Sequence, residues 1–157
     1  MIQVGDLIPE VLGTDQNGTP LTRDALKGQK LILYFYPKDN TSGCTAEACS
    51  LRDGIQELTK AGFKVIGVSK DSAKSHQGFK EKHDLPFDLI ADTETTLQQQ
   101  VGVWVPKSMY GRQYMGTQRT TLLVDASGVV RYVMTGRDIQ TKKHADQLLG
   151  IIRELNL

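Results

Sequence analysis

A chain of 157 residues is long enough to bury one core without disulfide or metal staples. Hydrophobic residues make up 39% and charged residues 24%, and 19 Lys and Arg against 18 Asp and Glu leave a net charge of +1. A soluble globular protein is therefore expected, and no strongly charged partner such as nucleic acid.

No apolar run approaches the roughly 20 residues that cross a bilayer, so no membrane association is expected. The start, MIQVGDLIPE, lacks the basic end and apolar core of a signal peptide. Repeats and linker-like stretches are missing, so one cytoplasmic domain, 1–157, is the expectation.

In chain order, Asn17-Gly18 between short apolar stretches signals a hairpin. Residues 22–27 suit a helical turn closed by Gly28. The apolar run 31–36, stopped by Pro37, reads as a central strand covered on both faces. Leu51, Ile55 and Leu58 place residues 41–60 on one helix ended by Gly62. A second buried strand covers 64–69. A helix capped by Asp71 or Ser72 runs to His83, before Pro86. A short strand at 87–91 and a short helix at 93–101 follow.

Residues 102–118 have no clear period and read as a long loop, functional or disordered. Residues 119–125 and 129–134 flank an Ala-Ser-Gly turn and form an antiparallel hairpin, and 141–157 is an amphipathic helix. The alternation predicts an α/β domain of three layers around a mixed sheet. Ligands in such sheets sit beyond the carboxyl ends of strands, and Cys44 lies just there, after strand 31–36.

The loop from Pro37 to Cys44 carries the chemistry. With Thr41 as N-cap, Cys44 falls in the first helical turn, where free N–H groups and the positive end of the dipole favour an anion. Such an environment lowers a thiol pKa and enriches the nucleophilic thiolate. Gly43 permits close approach of a small substrate, and Pro37 can wall the pocket without offering a competing donor. A reducing cytosol disfavours permanent disulfides, so the chain's two cysteines point to redox or metal chemistry.

Cys49 follows five positions after Cys44. On an intact helix their Cα atoms stand roughly 8 to 9 Å apart, beyond the limit of about 7 Å for a disulfide. If the two react, the first turns must unwind, and Gly54 weakens that helix. A metal is not expected, because His76, His83 and His144 are scattered without ligand spacing and read as surface or core residues. Trp104 reads as a core or loop anchor, and Lys38, Lys107 and Arg112 as solvated.

Pro37-x-x-x-Thr41-x-x-Cys44 resembles the active-site motif of the peroxiredoxins. Its extension Gly43-Cys44-Thr45-Ala46-Glu47-Ala48-Cys49-Ser50-Leu51-Arg52-Asp53 is similar to the bacterioferritin comigratory protein branch, also called peroxiredoxin Q. The likeness continues through Gly102-Val103-Trp104 and the segment Gly116 to Asp125.

The resemblance implies a thioredoxin-like fold and a thiol-dependent peroxidase without cofactor. In it Cys44 is the peroxidatic and Cys49 the resolving cysteine. Thr41 bonds the thiolate and the peroxide, Pro37 shields the site, Arg119 holds the thiolate and Glu47 orients Arg119. It further implies a hydroperoxide substrate, a thioredoxin or glutaredoxin-like reductant, and a monomer. Ser42 departs from the proline of many relatives, which loosens the loop or adds a cap.

Two other readings stay open. A general dithiol–disulfide oxidoreductase favours two intervening residues where four are present, and would reduce insulin. A redox-sensing module would react slowly with peroxide and bind a partner only when oxidised.

Overall fold

The computed structural model describes residues 1–157. A five-stranded mixed sheet forms its middle layer. The N-terminal hairpin pairs β1 (Val11–Thr14) with β2 (Pro20–Thr22) across the predicted Asn17-Gly18 turn. Strand β3 (Lys30–Phe35) is central, with β4 (Phe63–Ser69) and β5 (Asp88–Ala91) parallel on one side. On the other side β8 (Thr120–Val124) and β9 (Val130–Thr135) run antiparallel, giving the order β5-β4-β3-β8-β9.

The continuous apolar run of β3 has the predicted cause. Ile32, Tyr34 and Tyr36 enter one core, whereas Leu31, Leu33 and Phe35 enter the other. The first core is roofed by α1 (Ser42–Asp53), α2 (Ile55–Lys60), α3 (Ala73–Lys82) and α5 (His144–Glu154). The opposite face is covered by the N-terminal hairpin and one helix, α4 (Thr96–Val101). No helix is long and apolar enough to cross a membrane.

Two expectations are corrected. The helix predicted over 41–60 breaks at Gly54 into α1 and α2. The glycine at the break also has a tertiary role: a Cβ on Gly54 would lie 2.6 Å from the Cβ of Ala145 on α5. Gly54 thus permits the close approach of two helices, more than it merely weakens one.

Gly54→Ala is accordingly expected to lower the thermal midpoint by a few degrees. Overpacking costs about 1 to 3 kcal/mol, against about 1 kcal/mol of helix propensity gained. A raised midpoint in a calorimetric scan would contradict that account.

The stretch 102–118 is not a loop. β6 (Trp104–Met109) and β7 (Arg112–Thr117) pair antiparallel around Tyr110-Gly111, both at positive φ as a tight hairpin turn requires. The hairpin is a separate two-stranded sheet, exposed along most of its length. With no buried face, its sequence has no hydrophobic alternation to show.

Candidate active site

The register of the sheet brings the site together. Phe35 pairs with Thr120, so the residue before β8 lies beside the carboxyl end of β3, where the chain turns into α1. Along β8, Leu123 packs into the helix-side core. Side chains alternate, so Thr121 and Arg119 point to that same side, under α1.

Helix α1 starts as expected, with Thr41 extended at the N-cap (φ −82°, ψ 154°). The first helical bond is Thr45 N–H to the Thr41 carbonyl at 2.8 Å, which leaves the amides of Ser42, Gly43 and Cys44 ahead of the ladder. Neither Thr41 nor Ser42 caps them with a side chain. The Thr41 hydroxyl instead donates to the Lys38 carbonyl at 3.0 Å.

The loop from Pro37 to Thr41 is clamped from the other side. Asp39, buried, accepts from the Tyr36 hydroxyl at 2.6 Å and the Ser75 hydroxyl at 2.8 Å, and faces His76 Nδ1 at 2.8 Å. The Asp39 N–H donates to Asp71, which also accepts from Ser69. Asp39, Asp71 and His76 converge within 4.8 Å. Their converging oxygens already have protein donors, so the trio fits a loop clamp better than a metal centre. His76 is a core residue, as is His144.

Cys44 is buried, with 1% of its surface exposed. The Arg119 guanidinium donates through Nη2 to Cys44 Sγ at 3.3 Å and through Nη1 to Glu47 Oε1 at 2.5 Å. One planar fork thus holds the sulfur and the carboxylate together, which a lysine ammonium cannot do. Gly43 lies across from the same guanidinium, 3.4 Å from where its Cβ would stand.

Arg119 is 18% exposed, and it opens onto a shallow depression of about 600 Å³. Pro37 shares that lining with Val105, Pro106 and Lys107 of β6 and with Arg137. The depression lies at the predicted carboxyl end of β3. Five of the predicted residues thus meet: Pro37 at the rim, and Cys44, Glu47 and Arg119 within, at the start of the helix that Thr41 opens.

Both thiols are free. Cys49, half-buried, lies on the same helix as Cys44, and Leu51, two positions on, is in the core. Its sulfur faces His83 Nδ1 at 3.9 Å instead of Cys44.

Glu47 is buried, and burial pushes its carboxyl up to about 7 although Arg119 opposes the rise. The same burial costs Arg119 some of its charge preference, but Glu47 and Cys44 together hold the guanidinium firmly protonated. The second oxygen of Glu47 has no hydrogen-bond partner and stands 3.6 Å from Nε2 of buried His144.

Burial lowers His144 to about 4. Gln147 Oε1 accepts from the Gln140 N–H while its Nε2 donates to the Asp138 carbonyl, so Oε1 can only accept from His144 Nδ1, at 3.1 Å. The Nδ1 proton leaves Nε2 to accept from the Thr121 hydroxyl at 2.7 Å.

Lys107 and His144 escaped the sequence reading as site residues. Lys107, predicted to be solvated, is half-buried on the rim, donates to the Thr117 carbonyl at 2.5 Å, and is lowered by that burial and by Arg119. No local signal marks either one, since their partners lie on other elements.

Residues 4–133 match the model of the AhpC/TSA family. The chain is 46% identical over 149 residues to a putative peroxiredoxin bcp of Coxiella burnetii, covering 95% of this chain and 97% of that protein. It is 37% identical over 155 residues to the peroxiredoxin Bcp of Bacillus subtilis, covering 99% and 98%. Among solved structures it resembles the bacterioferritin comigratory protein of Xanthomonas campestris. That likeness has a TM-score of 0.85 at 33% identity, spans 97% of this chain and 100% of that one, and comes from a study of that protein's alkyl peroxide reduction activity.

Proposed function

As the chain belongs to the AhpC/TSA family, in its bacterioferritin comigratory protein (peroxiredoxin Q) branch, we propose that it reduces hydroperoxides through Cys44 and Cys49. The single observation that carries this reading is the Arg119 fork, which holds the buried sulfur and Glu47 at once behind an open depression.

The Cys44 thiolate attacks the terminal oxygen of the hydroperoxide. The S–O bond forms as the O–O bond breaks, leaving a sulfenic acid, and the departing oxygen takes a proton to become water or an alcohol. Arg119 and the free amides of the first helical turn face the charge that develops on that oxygen, as preorganised donors should. Thr41 has committed its own proton to Lys38, so its lone pairs serve as acceptor for the peroxide O–H. Pro37 walls the rim without a competing N–H.

Oxidation removes the negative charge that Arg119 grips. The first turns of α1 are then free to open, as the five-residue spacing demands. Cys49 attacks the sulfenic sulfur, water leaves, and an exposed disulfide results. An external dithiol, thioredoxin or a glutaredoxin-like protein, restores both thiols by exchange. The reading places a monomer in the cytoplasm.

Burial weighs against a general dithiol–disulfide oxidoreductase, because a sulfur 1% exposed admits a small peroxide but not the disulfide of another protein. Cys49→Ser is expected to consume one equivalent of peroxide at the parent rate. It should then lose nearly all steady-state turnover with thioredoxin, followed as NADPH oxidation through thioredoxin reductase. Undiminished turnover would remove Cys49 from the cycle.

A further inference from the structure

The surroundings of Cys49 bear on the second half of that cycle. An ordinary thiol has a pKa of about 8.5 and is mostly protonated at neutral pH, yet only a thiolate attacks a sulfenic acid. Position 49 lacks the helix-start amides and the arginine fork that serve Cys44. What it has is an imidazole: His83 Nδ1 lies 3.9 Å from Cys49 Sγ.

That ring packs against one neighbour, and its backbone is tied to α1. His83 caps the end of α3, and its ring meets Phe79 edge-on at 5.3 Å. Its carbonyl accepts from Arg52 Nη1 at 2.8 Å. Arg52 sits one turn beyond Cys49 on α1, within electrostatic reach of the sulfur. The charged groups around the pair are Arg52 and Asp53 on α1 and Asp84 beside the histidine. One cation and one imidazole thus face a thiol that the reaction requires to ionise.

We infer that His83 is a catalytic residue of the resolving step, taking the proton of Cys49 and returning it to the leaving oxygen. The inference rests on Cys49 being the resolving thiol. Cys49 S–H gives its proton to His83 Nδ1, and the thiolate attacks the Cys44 sulfenic sulfur. The S–S bond forms as the S–O bond breaks, Cys49 is oxidised and the sulfenic sulfur reduced. Hydroxide leaves with the electron pair and takes the imidazolium proton as water.

The same contacts assign the direction of opening. Beyond Cys49, α1 is held by Arg52 on His83, by the Ala145 N–H on the Ser50 hydroxyl at 3.1 Å, and by Leu51 in the core. Ahead of Cys49 the helix is held by Ala48 in the core and by the Arg119 fork on Cys44 and Glu47. Oxidation of Cys44 releases the fork's hold on the sulfur, so Cys44 travels to a Cys49 that remains beside its base.

The test compares the parent with His83→Gln by rapid quench after one equivalent of H2O2, from pH 6 to 9. Mass spectrometry separates the trapped Cys44 sulfenic acid from the disulfide. His83→Gln should form the sulfenic acid at the parent rate. At pH 7 it should close the disulfide about a hundredfold more slowly, with the deficit shrinking as pH rises and the thiol ionises unaided. An unchanged closing rate at pH 7, or a slowing equal at every pH, would overturn the role of His83 while leaving Cys49 as resolving thiol. Absence of any Cys44–Cys49 bond in the parent would overturn both readings.

Discussion

Replacing Arg119 with alanine is expected to slow the oxidation of Cys44 by about a hundredfold to a thousandfold, the usual cost of losing one preorganised donor to a developing oxyanion. Two functions fail in that variant. The bond from Nη2 to Cys44 Sγ disappears, and so does the only cation in contact with buried Glu47. Arg119→Lys keeps the charge but cannot span the sulfur and Glu47 Oε1 with one rigid fork. It should recover only part of the loss, remaining roughly tenfold slow. The measurement is the second-order rate of the reduced protein with H2O2, read from the fluorescence of its single tryptophan or by competition with a heme peroxidase. A rate for Arg119→Ala within threefold of the parent would mean that the guanidinium grips the sulfur without assisting its reaction.

Arg119 also shows how far local sequence can carry a site. Strand β8 was legible from its apolar run, and its parity follows from Leu123 in the helix-side core. An arginine two alternations earlier must point to that side, although nothing local says that a cysteine 75 residues away awaits it. The family motif supplied the pairing, and the register of β3 with β8 supplies the reason. Cys44, Thr41 and Pro37 were legible for a different cause, since they share one strand-to-helix turn and their relation is short in sequence.

The features that escaped are those settled by distant partners. The need for glycine at position 54 is set by Ala145, 91 residues later. The hairpin of β6 and β7 buries neither face, so periodicity had nothing to detect there. Each histidine read as scattered has found a long-range role. His76 clamps Asp39 of the active-site loop, His83 faces Cys49, and His144 stands behind Glu47.

That last pair leads to a prediction about stability. Glu47 is raised from 4.5 to about 7, and His144 is lowered from 6.5 to about 4, both chiefly by burial. A carboxyl with a raised folded pKa contributes stability that is complete below about 4.5 and lost as pH climbs through 7. A histidine with a lowered folded pKa acts in the opposite sense, because between about 4 and 6.5 the unfolded chain binds a proton that the fold refuses. Stability therefore rises with pH across that window. Each effect amounts to about 3 kcal/mol. In the shared range, unfolded glutamate and histidinium hold one proton between them, and so do buried glutamic acid and neutral imidazole. The two slopes cancel, and the pair hides its own titration.

Single substitutions should uncover it. Glu47→Gln copies the protonated carboxyl: its amide oxygen can accept from Arg119, and its amide nitrogen faces His144 Nε2. Only the histidine slope then remains, and urea unfolding should show stability rising by about 3 kcal/mol from pH 4 to 6.5 relative to the parent. His144→Gln should leave the glutamate slope, with stability falling by a similar amount from pH 4.5 to 7. The signs are the test, and Glu47→Gln alone carries it if the histidine variant folds poorly. A Glu47→Gln curve that falls with pH, or runs parallel to the parent, would mean that Glu47 enters the fold as a carboxylate at every pH, its burial cost met by Arg119 alone.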